Sequence, residues 1–315
     1  MTPAKVALLA DRGVVRVAGE DAEKLLQGII SNDMELLASQ PAIHTALLTP
    51  QGKILFDFFV VPAGDGFLLE VARDKAADLA KRLNLYKLRA KATILDDTAN
   101  WRVFAAWGDI PRDLPWESDA VDDHMPTPPP SMGQLRRYGD PRLGDLGERW
   151  LLPQISVARA RNRLTAFMDV PADDYHAHRI ALGVPEGGKD YVLGDSFPHE
   201  ADLDKLNGVS FSKGCFVGQE VVSRMQNRGS VRKRVVPIEG EAPLIPGAEI
   251  KAGAASIGTV GSVAGNLALG LVRLDRAAES KAKGEPLTAD GVVVRLRKLD
   301  WASFDPSPAI AAEAP

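Results

Sequence analysis

Lys213-Gly214-Cys215-Phe216-Val217-Gly218-Gln219-Glu220 places the only cysteine of a 315-residue chain between two glycines, two positions after a lysine. Gln219 to Gln226 reads as a helix with Val221, Val222 and Met225 on its buried side, so Cys215 lies at the mouth of that helix. A lysine ammonium and a helix N-terminus both favour thiolate over thiol. Most lone cysteines are small buried hydrophobes. Here the lysine and the glycines favour a working thiol, with Lys213 keeping Cys215 charged and Gly214 and Gly218 permitting tight backbone geometry. A single cysteine excludes an internal disulfide and any CxxC site. It also excludes an iron–sulfur cluster held by four thiolates of this chain alone.

Away from that segment the composition is that of a globular chain, with 45% hydrophobic residues and a net charge of −4, which speaks against a dedicated nucleic-acid binder. No stretch reaches the roughly 18 apolar residues of a membrane span, and Met1 to Arg16 lacks a signal peptide's apolar centre. A reduced, cytoplasmic protein with no nucleic-acid or membrane partner is the expectation.

Hydrophobic periodicity predicts a strand at Val14–Val17 and a helix at Asp21–Ile30. Strands at 45–48 and 54–61 flank the turn Thr49-Pro50-Gln51-Gly52, and further strands fall at 67–71, 92–95 and 102–106, with a helix at 74–85. Helices are predicted over 157–167 and 172–182. Residues 119–132, acidic and then proline-rich, read as an exposed loop. Residues 183–199 read as ordered loop. After Gly229, short strands separated by glycines at 235–238, 249–251, 257–263, 267–272 and 292–296 predict a small β-barrel or sandwich. The fold class is therefore α+β. The expected division is an α+β region over 1–230, with a second lobe near 42–115, a barrel over 231–305 and a disordered tail over 306–315.

Asp57 interrupts the apolar run from Ile54 to Val60, and alternation puts it on one face with Leu55 and Phe59. A carboxylate on an apolar face is costly unless it is paired or binds something. Glu200 follows Phe197-Pro198-His199 in a turn, where it could cap 201–206 or accept hydrogen bonds from a ligand. Asn32 and Asp33 read as ordinary helix stops, and no histidine has a partner at metal-ligand spacing. Residues 183–189 match the first seven positions of a P-loop. Asp190 stands where a magnesium-binding Ser or Thr is required, so the segment reads as a plain glycine-rich loop.

The motif Lys213–Glu220 resembles the K-G-C-[FY]-x-G-Q-E signature of the YgfZ-like proteins, folate-binding factors implicated in maturing iron–sulfur enzymes. Residues 17–33, with Leu25-Leu26-Gln27-Gly28 and Ser31-Asn32-Asp33, are similar to that family, as are 48–54, 179–183 and 197–200. The family in turn resembles the glycine-cleavage T-protein, an aminomethyltransferase that uses tetrahydrofolate. The resemblance implies two α+β lobes around a central folate site, followed by a C-terminal β-barrel. It implies tetrahydrofolate or a derivative as cofactor, with Asp57 near the reactive folate nitrogens, Glu200 on the pterin and Arg224 on the glutamate tail. It also implies iron–sulfur carrier or client proteins as partners and transient contact with a cluster through Cys215. Phe56 stands where the T-protein strand has a neighbouring aspartate, and the T-protein lacks the cysteine motif, so aminomethyl transfer itself is not carried over. The favoured reading is an assembly or repair factor. A folate-dependent one-carbon transferase and a non-catalytic folate-sensing protein are the alternatives.

Overall fold

The computed structural model describes residues 3–111, 135–228 and 231–306. The expected loop at 119–132 lies outside them, as does nearly all of the expected tail. The chain forms two compact units. One comprises Met1–Ala46, Phe56–Tyr175 and Ser212–Phe216; the other comprises Leu47–Leu55, His176–Phe211 and Val217–Pro315.

The first unit is built on strands β1 (Lys5–Leu8), β2 (Arg12–Ala18), β3 (Ile43–Leu48), β4 (Ile54–Ala63), β5 (Gly66–Ala72), β6 (Thr93–Asp96), β7 (Trp101–Trp107), β8 (Arg136–Gly139), β9 (Glu148–Pro153) and β10 (Met168–Asp169), with helices α1 (Ala22–Ile29), α2 (Ala76–Lys87) and α3 (Val157–Arg163). One sheet has the order β3-β4-β5-β2-β6 and the other β10-β1-β7-β9-β8. Val14, Phe59, Val61 and Leu68 of the first sheet join Leu9, Val103, Ala105 and Leu151 in one apolar cluster. The opposite face of the first sheet carries α1 and α2, and Phe104, Trp150 and Leu152 of the second sheet pack with Ala160 and Leu164. Strands covered on both faces read as continuous apolar runs, which is why β2, β3 and β7 lack clean alternation.

The second unit contains α5 (Gln219–Arg228) and the strands β11 (Lys233–Gly240), β12 (Glu249–Ala252), β13 (Ala255–Ala264), β14 (Leu267–Arg273), β15 (Leu287–Ala289) and β16 (Val292–Leu296), with α6 (Leu274–Ala282); α4 (Ala172–Ala181) runs into it. The six strands close into a barrel in the order β11-β14-β13-β12-β15-β16. Val236, Ile238, Ile250, Val260, Ala268 and Val272 fill it, and Leu274 and Ala277 of α6 join that core. A Cβ on Gly270 would come within 2.4 Å of Ile238 Cδ1, so that position keeps room for the barrel's interior.

The observed architecture is the α+β class with a closed C-terminal barrel that the motifs implied. Local departures have physical causes. Residues 201–206 form turns rather than a helix, because Asp202 and Asn207 take left-handed backbone, φ 58° and 54°. The P-loop-like segment is a structural loop. Asp190 is buried there, accepting from Arg179 at 2.7 Å, from the Glu186 amide at 2.8 Å and from the Ser262 amide at 2.7 Å. Among the described residues, no helix is long and apolar enough to cross a membrane.

Candidate functional site

In the first unit, Cys215 is exposed, and so is Gly214, while Lys213 and Phe216 on either side are buried. The thiol is thus displayed between two anchors. The Lys213 ammonium donates to three backbone carbonyls: Gln27 at 2.7 Å, Ile30 at 2.9 Å and Asn32 at 2.8 Å. It also lies 5.3 Å from the centroid of the Phe216 ring. Burial pulls the Lys213 pKa down to about 8, against the opposing pull of Asp33. The sequence had given this ammonium to the thiolate; in the structure it sits at the end of α1. A Cβ at Gly214 would meet nothing within 4 Å, so open space adjoins the thiol.

The turn that receives Lys213 is held by its own side chains. Asn32 donates to the His44 carbonyl at 2.7 Å and accepts from the Asp33 amide at 2.8 Å. Asp33 accepts from Gln27 Nε2 at 2.9 Å and from the Glu35 amide at 3.1 Å. Ser31 and Asn32 both reach Thr45 Oγ1 on β3. α1 itself ends at Ile29 with Ile30 as its cap, and Asp33 caps the short 3-10 turn Met34–Ala38 that follows.

Asp57 lies on β4, half-buried, on the same face as Phe59 two residues on. That face holds a group the sequence reading missed. Phe59 pairs across to Glu70 on β5. Glu70, fully buried, accepts from Arg12 Nε at 2.9 Å, from Tyr138 Oη at 2.5 Å and from Arg149 Nη1. Asp140 accepts from Arg142 through Nε at 2.9 Å and Nη2 at 2.8 Å, and from Arg149 Nε at 2.9 Å. Arg149 Nη2 donates to Tyr175 Oη at 2.9 Å, and the Arg149 guanidinium stands 4.5 Å from the Phe59 ring centroid. A carboxylate inside the apolar run of β5 was the available signal, the same one that singled out Asp57.

In the second unit, the turn Thr49–Gly52 meets the start of α5 through two glycines with left-handed backbone. Gly218 has φ 81° and Gly52 φ 80°, and a Cβ on Gly218 would stand 2.5 Å from the Thr49 carbonyl oxygen. The motif's second glycine is thus required by both conformation and close approach. Gln219 and Glu220 open α5. Arg224 is exposed and paired at 2.6 Å with Glu220 one turn earlier.

Glu200 closes its turn by accepting the Phe197 amide at 2.9 Å through Oε2. Arg234 of β11 locks the same turn, donating to the His199 carbonyl and to Asp202 Oδ1, each at 2.7 Å, and to Asp204. Burial pushes the Asp202 carboxyl up to about 8, against the downward pull of Arg234. Among the described residues its Oδ2 has no hydrogen-bond partner. A raised folded-state pKa means the folded chain keeps a proton that the unfolded chain loses from about pH 4 upward. The stability this carboxyl contributes is present below that value and is lost as pH rises toward 8. Asp202→Asn, which stays neutral and tolerates left-handed backbone, is therefore expected to gain on the wild type by roughly 1 kcal/mol or more between pH 5 and pH 9. Urea unfolding at both pH values measures the gap; a constant gap contradicts a carboxyl held neutral.

Among the described residues, a cleft of about 590 Å³ opens in the first unit beside Arg16, Asp65, Asp97, Trp101 and Ile155. Neither Cys215 nor Asp57 lines it, so this cleft is not where the sequence placed chemistry.

This architecture is a T-protein-like fold with a closed C-terminal barrel. It superposes on the crystal structure of glycine cleavage system aminomethyltransferase T from Bartonella henselae with a TM-score of 0.74, covering 96% of this chain and 87% of that one at 17% identity, a likeness of fold. Residues 232–304 match the family described as the CAF17 C-terminal beta-barrel domain. Sequence similarity then defines the family. The mitochondrial iron-sulfur cluster assembly factor IBA57 homolog of Chaetomium globosum is 32% identical over 90% of this chain and 74% of its own length. The Neurospora crassa homolog is 36% identical over 76% of this chain and 55% of its own length. The chain belongs to the family of IBA57 iron–sulfur cluster assembly factors. It spans only 55% and 57% of the Neurospora crassa and Mycosarcoma maydis relatives. One expectation is corrected here. These relatives are named mitochondrial, which points to the mitochondrion and away from the cytoplasm. Composition and one reduced cysteine fit either compartment and had no power to choose.

Proposed function

We propose that this chain is a tetrahydrofolate-binding factor that assists assembly or repair of iron–sulfur clusters in client enzymes, with Cys215 as its working thiol. The observation that carries the reading is the display of Cys215, exposed between the buried anchors Lys213 and Phe216, in a member of the IBA57 family. Thiolate is a soft ligand suited to iron–sulfur clusters. One thiol per chain fits transient contact with a cluster, or with a carrier protein that supplies the remaining ligands, better than storage. The YgfZ-like signature supports the same assignment.

The folate part of the reading rests on the T-protein fold and on three side chains. Asp57 offers a half-buried carboxylate. Glu200 uses one oxygen in its own turn and keeps the other for the donor edge of a pterin. Arg224, already paired with Glu220 on the surface, is the weakest of the three. Bound folate supplies a carrier of one-carbon units; the protein groups bind and orient it. Loss of a hydrogen bond to a charged group is worth about 1.5–3 kcal/mol, so Asp57→Ala and Glu200→Gln are each expected to weaken tetrahydrofolate binding by roughly tenfold or more. Arg224→Ala is expected to change it only a few-fold. Anaerobic calorimetry with tetrahydrofolate measures all three, and unchanged affinity in both carboxylate variants would remove them from the site. The T-protein fold also favours a second reading, a folate-dependent one-carbon transferase, in which Asp57 is indispensable and Cys215 is not.

A further inference from the structure

We infer that Lys213 is a positioning residue that ties the thiol-bearing loop to the C-terminal end of α1. The inference rests on the reading of Cys215 as the working thiol. An ammonium carries three donors. That of Lys213 donates to three carbonyls, of Gln27, Ile30 and Asn32, between 2.7 and 2.9 Å. These lie where α1 ends, and a helix C-terminus leaves carbonyls without intrahelical partners and favours a cation. One side chain thereby caps α1 and fixes residues 213–216 against it. Phe216, buried on the other side of the thiol, supplies the second point of attachment. Gly214 and Cys215 are left exposed between two fixed points, which sets the thiol's position and leaves its approach open.

Two roles for Lys213 give different results. A counter-ion lowers the thiol's pKa and has no reason to order α1. A tether orders both segments and leaves the thiol's titration alone. The test uses purified full-length chain in three forms: wild type, Lys213→Met and Lys213→Arg. Three quantities are read: the pH profile of Cys215 alkylation by iodoacetamide, amide hydrogen exchange over 26–33 and 212–218, and rescue of iron–sulfur enzymes in cells lacking the gene. For Lys213→Met the expected result is at least tenfold faster exchange in both segments, an alkylation profile with the wild-type midpoint, and rescue reduced toward that of Cys215→Ser. Lys213→Arg keeps the charge, but its planar fork cannot send donors to the same three carbonyls. It is expected to recover only part of the protection and rescue, and it carries the test should the Met variant fail to fold. An alkylation midpoint moved up by a unit or more with exchange unchanged would overturn the inference in favour of a counter-ion. Unchanged exchange and unchanged midpoint would overturn it as well. The exchange result does not depend on cluster chemistry. If Cys215→Ser rescues fully, the functional reading fails while the tether is still judged by exchange.

Discussion

Cys215→Ser is expected to leave the chain folded and to lower its ability to restore iron–sulfur enzyme activity by tenfold or more in cells lacking the gene. The first half follows from exposure: Cys215 is at the surface, and surface substitutions usually change stability by no more than about 0.5 kcal/mol. The second half follows from chemistry. A serine hydroxyl at neutral pH is neither a soft ligand nor a nucleophile comparable to a thiolate, and the chain has no other cysteine to substitute. Phe216 and Lys213 still hold the loop in the serine variant, so a loss of rescue reports on the sulfur atom itself and not on the loop. Enzymes without clusters, measured in the same cells, keep their activity. Full rescue by Cys215→Ser together with failure of Asp57→Ala would make the thiol incidental and transfer the function to folate chemistry.

The thiol and its flanking glycines were legible in the sequence because their information is local. Eight consecutive residues set the loop, the left-handed Gly218 and the start of α5. The partners of Lys213 were not legible. They lie 181 to 186 positions away along the chain, and proximity in sequence paired the lysine with its neighbour Cys215 instead. Strands with strong β-formers, such as β2, β4 and β5, were found nearly to their ends. The strands β1, β8, β9, β10 and β15 and the helix α6 were missed. β1 gains its stability by pairing with distant segments, lying against β7 and β10, almost a hundred residues or more away, whereas β8 is a short edge strand held only by the neighbouring β9. The helix expected over 157–167 stops at Arg163, because Leu164 and Phe167 turn into the core beside Trp150. Asp57 was noticed as a carboxylate in an apolar strand, whereas Glu70, in the same situation on β5, was passed over. The arginines that explain Glu70 come from β2 and β9 and carry no spacing signal.

That cluster gives the largest expected change in stability. Arg149→Met is expected to cost about 3–5 kcal/mol, the range for removing one partner of a buried charged group. The guanidinium of Arg149 reaches both Glu70 and Asp140, and its loss takes one cationic partner from each of two carboxylates that are almost wholly buried. Tyr138, whose hydroxyl donates to Glu70, is held far above the usual phenol range by burial and by that carboxylate, so it stays a donor and cannot supply the missing charge. Methionine keeps the apolar stem of the arginine and removes the guanidinium, so the loss combines charge pairing with the space the guanidinium filled beside Phe59. The pH dependence gives an independent check. Burial alone would raise the Asp140 pKa, but Arg142 and Arg149 override it and hold the carboxyl well below the usual range. A depressed folded-state pKa contributes stability that is present above the unfolded value near 4 and is lost as pH falls below it. Urea midpoints should therefore drop steeply between pH 4 and pH 2 in the wild type and less steeply in Arg149→Met, where one of the two cations is gone. Adding Glu70→Gln to Arg149→Met should recover part of the loss, because the second change removes a buried charge that the first left with Arg12 as its remaining cation. A double variant less stable than the wild type by the full sum of the two single losses would show that Glu70 and Arg149 do not act as a pair.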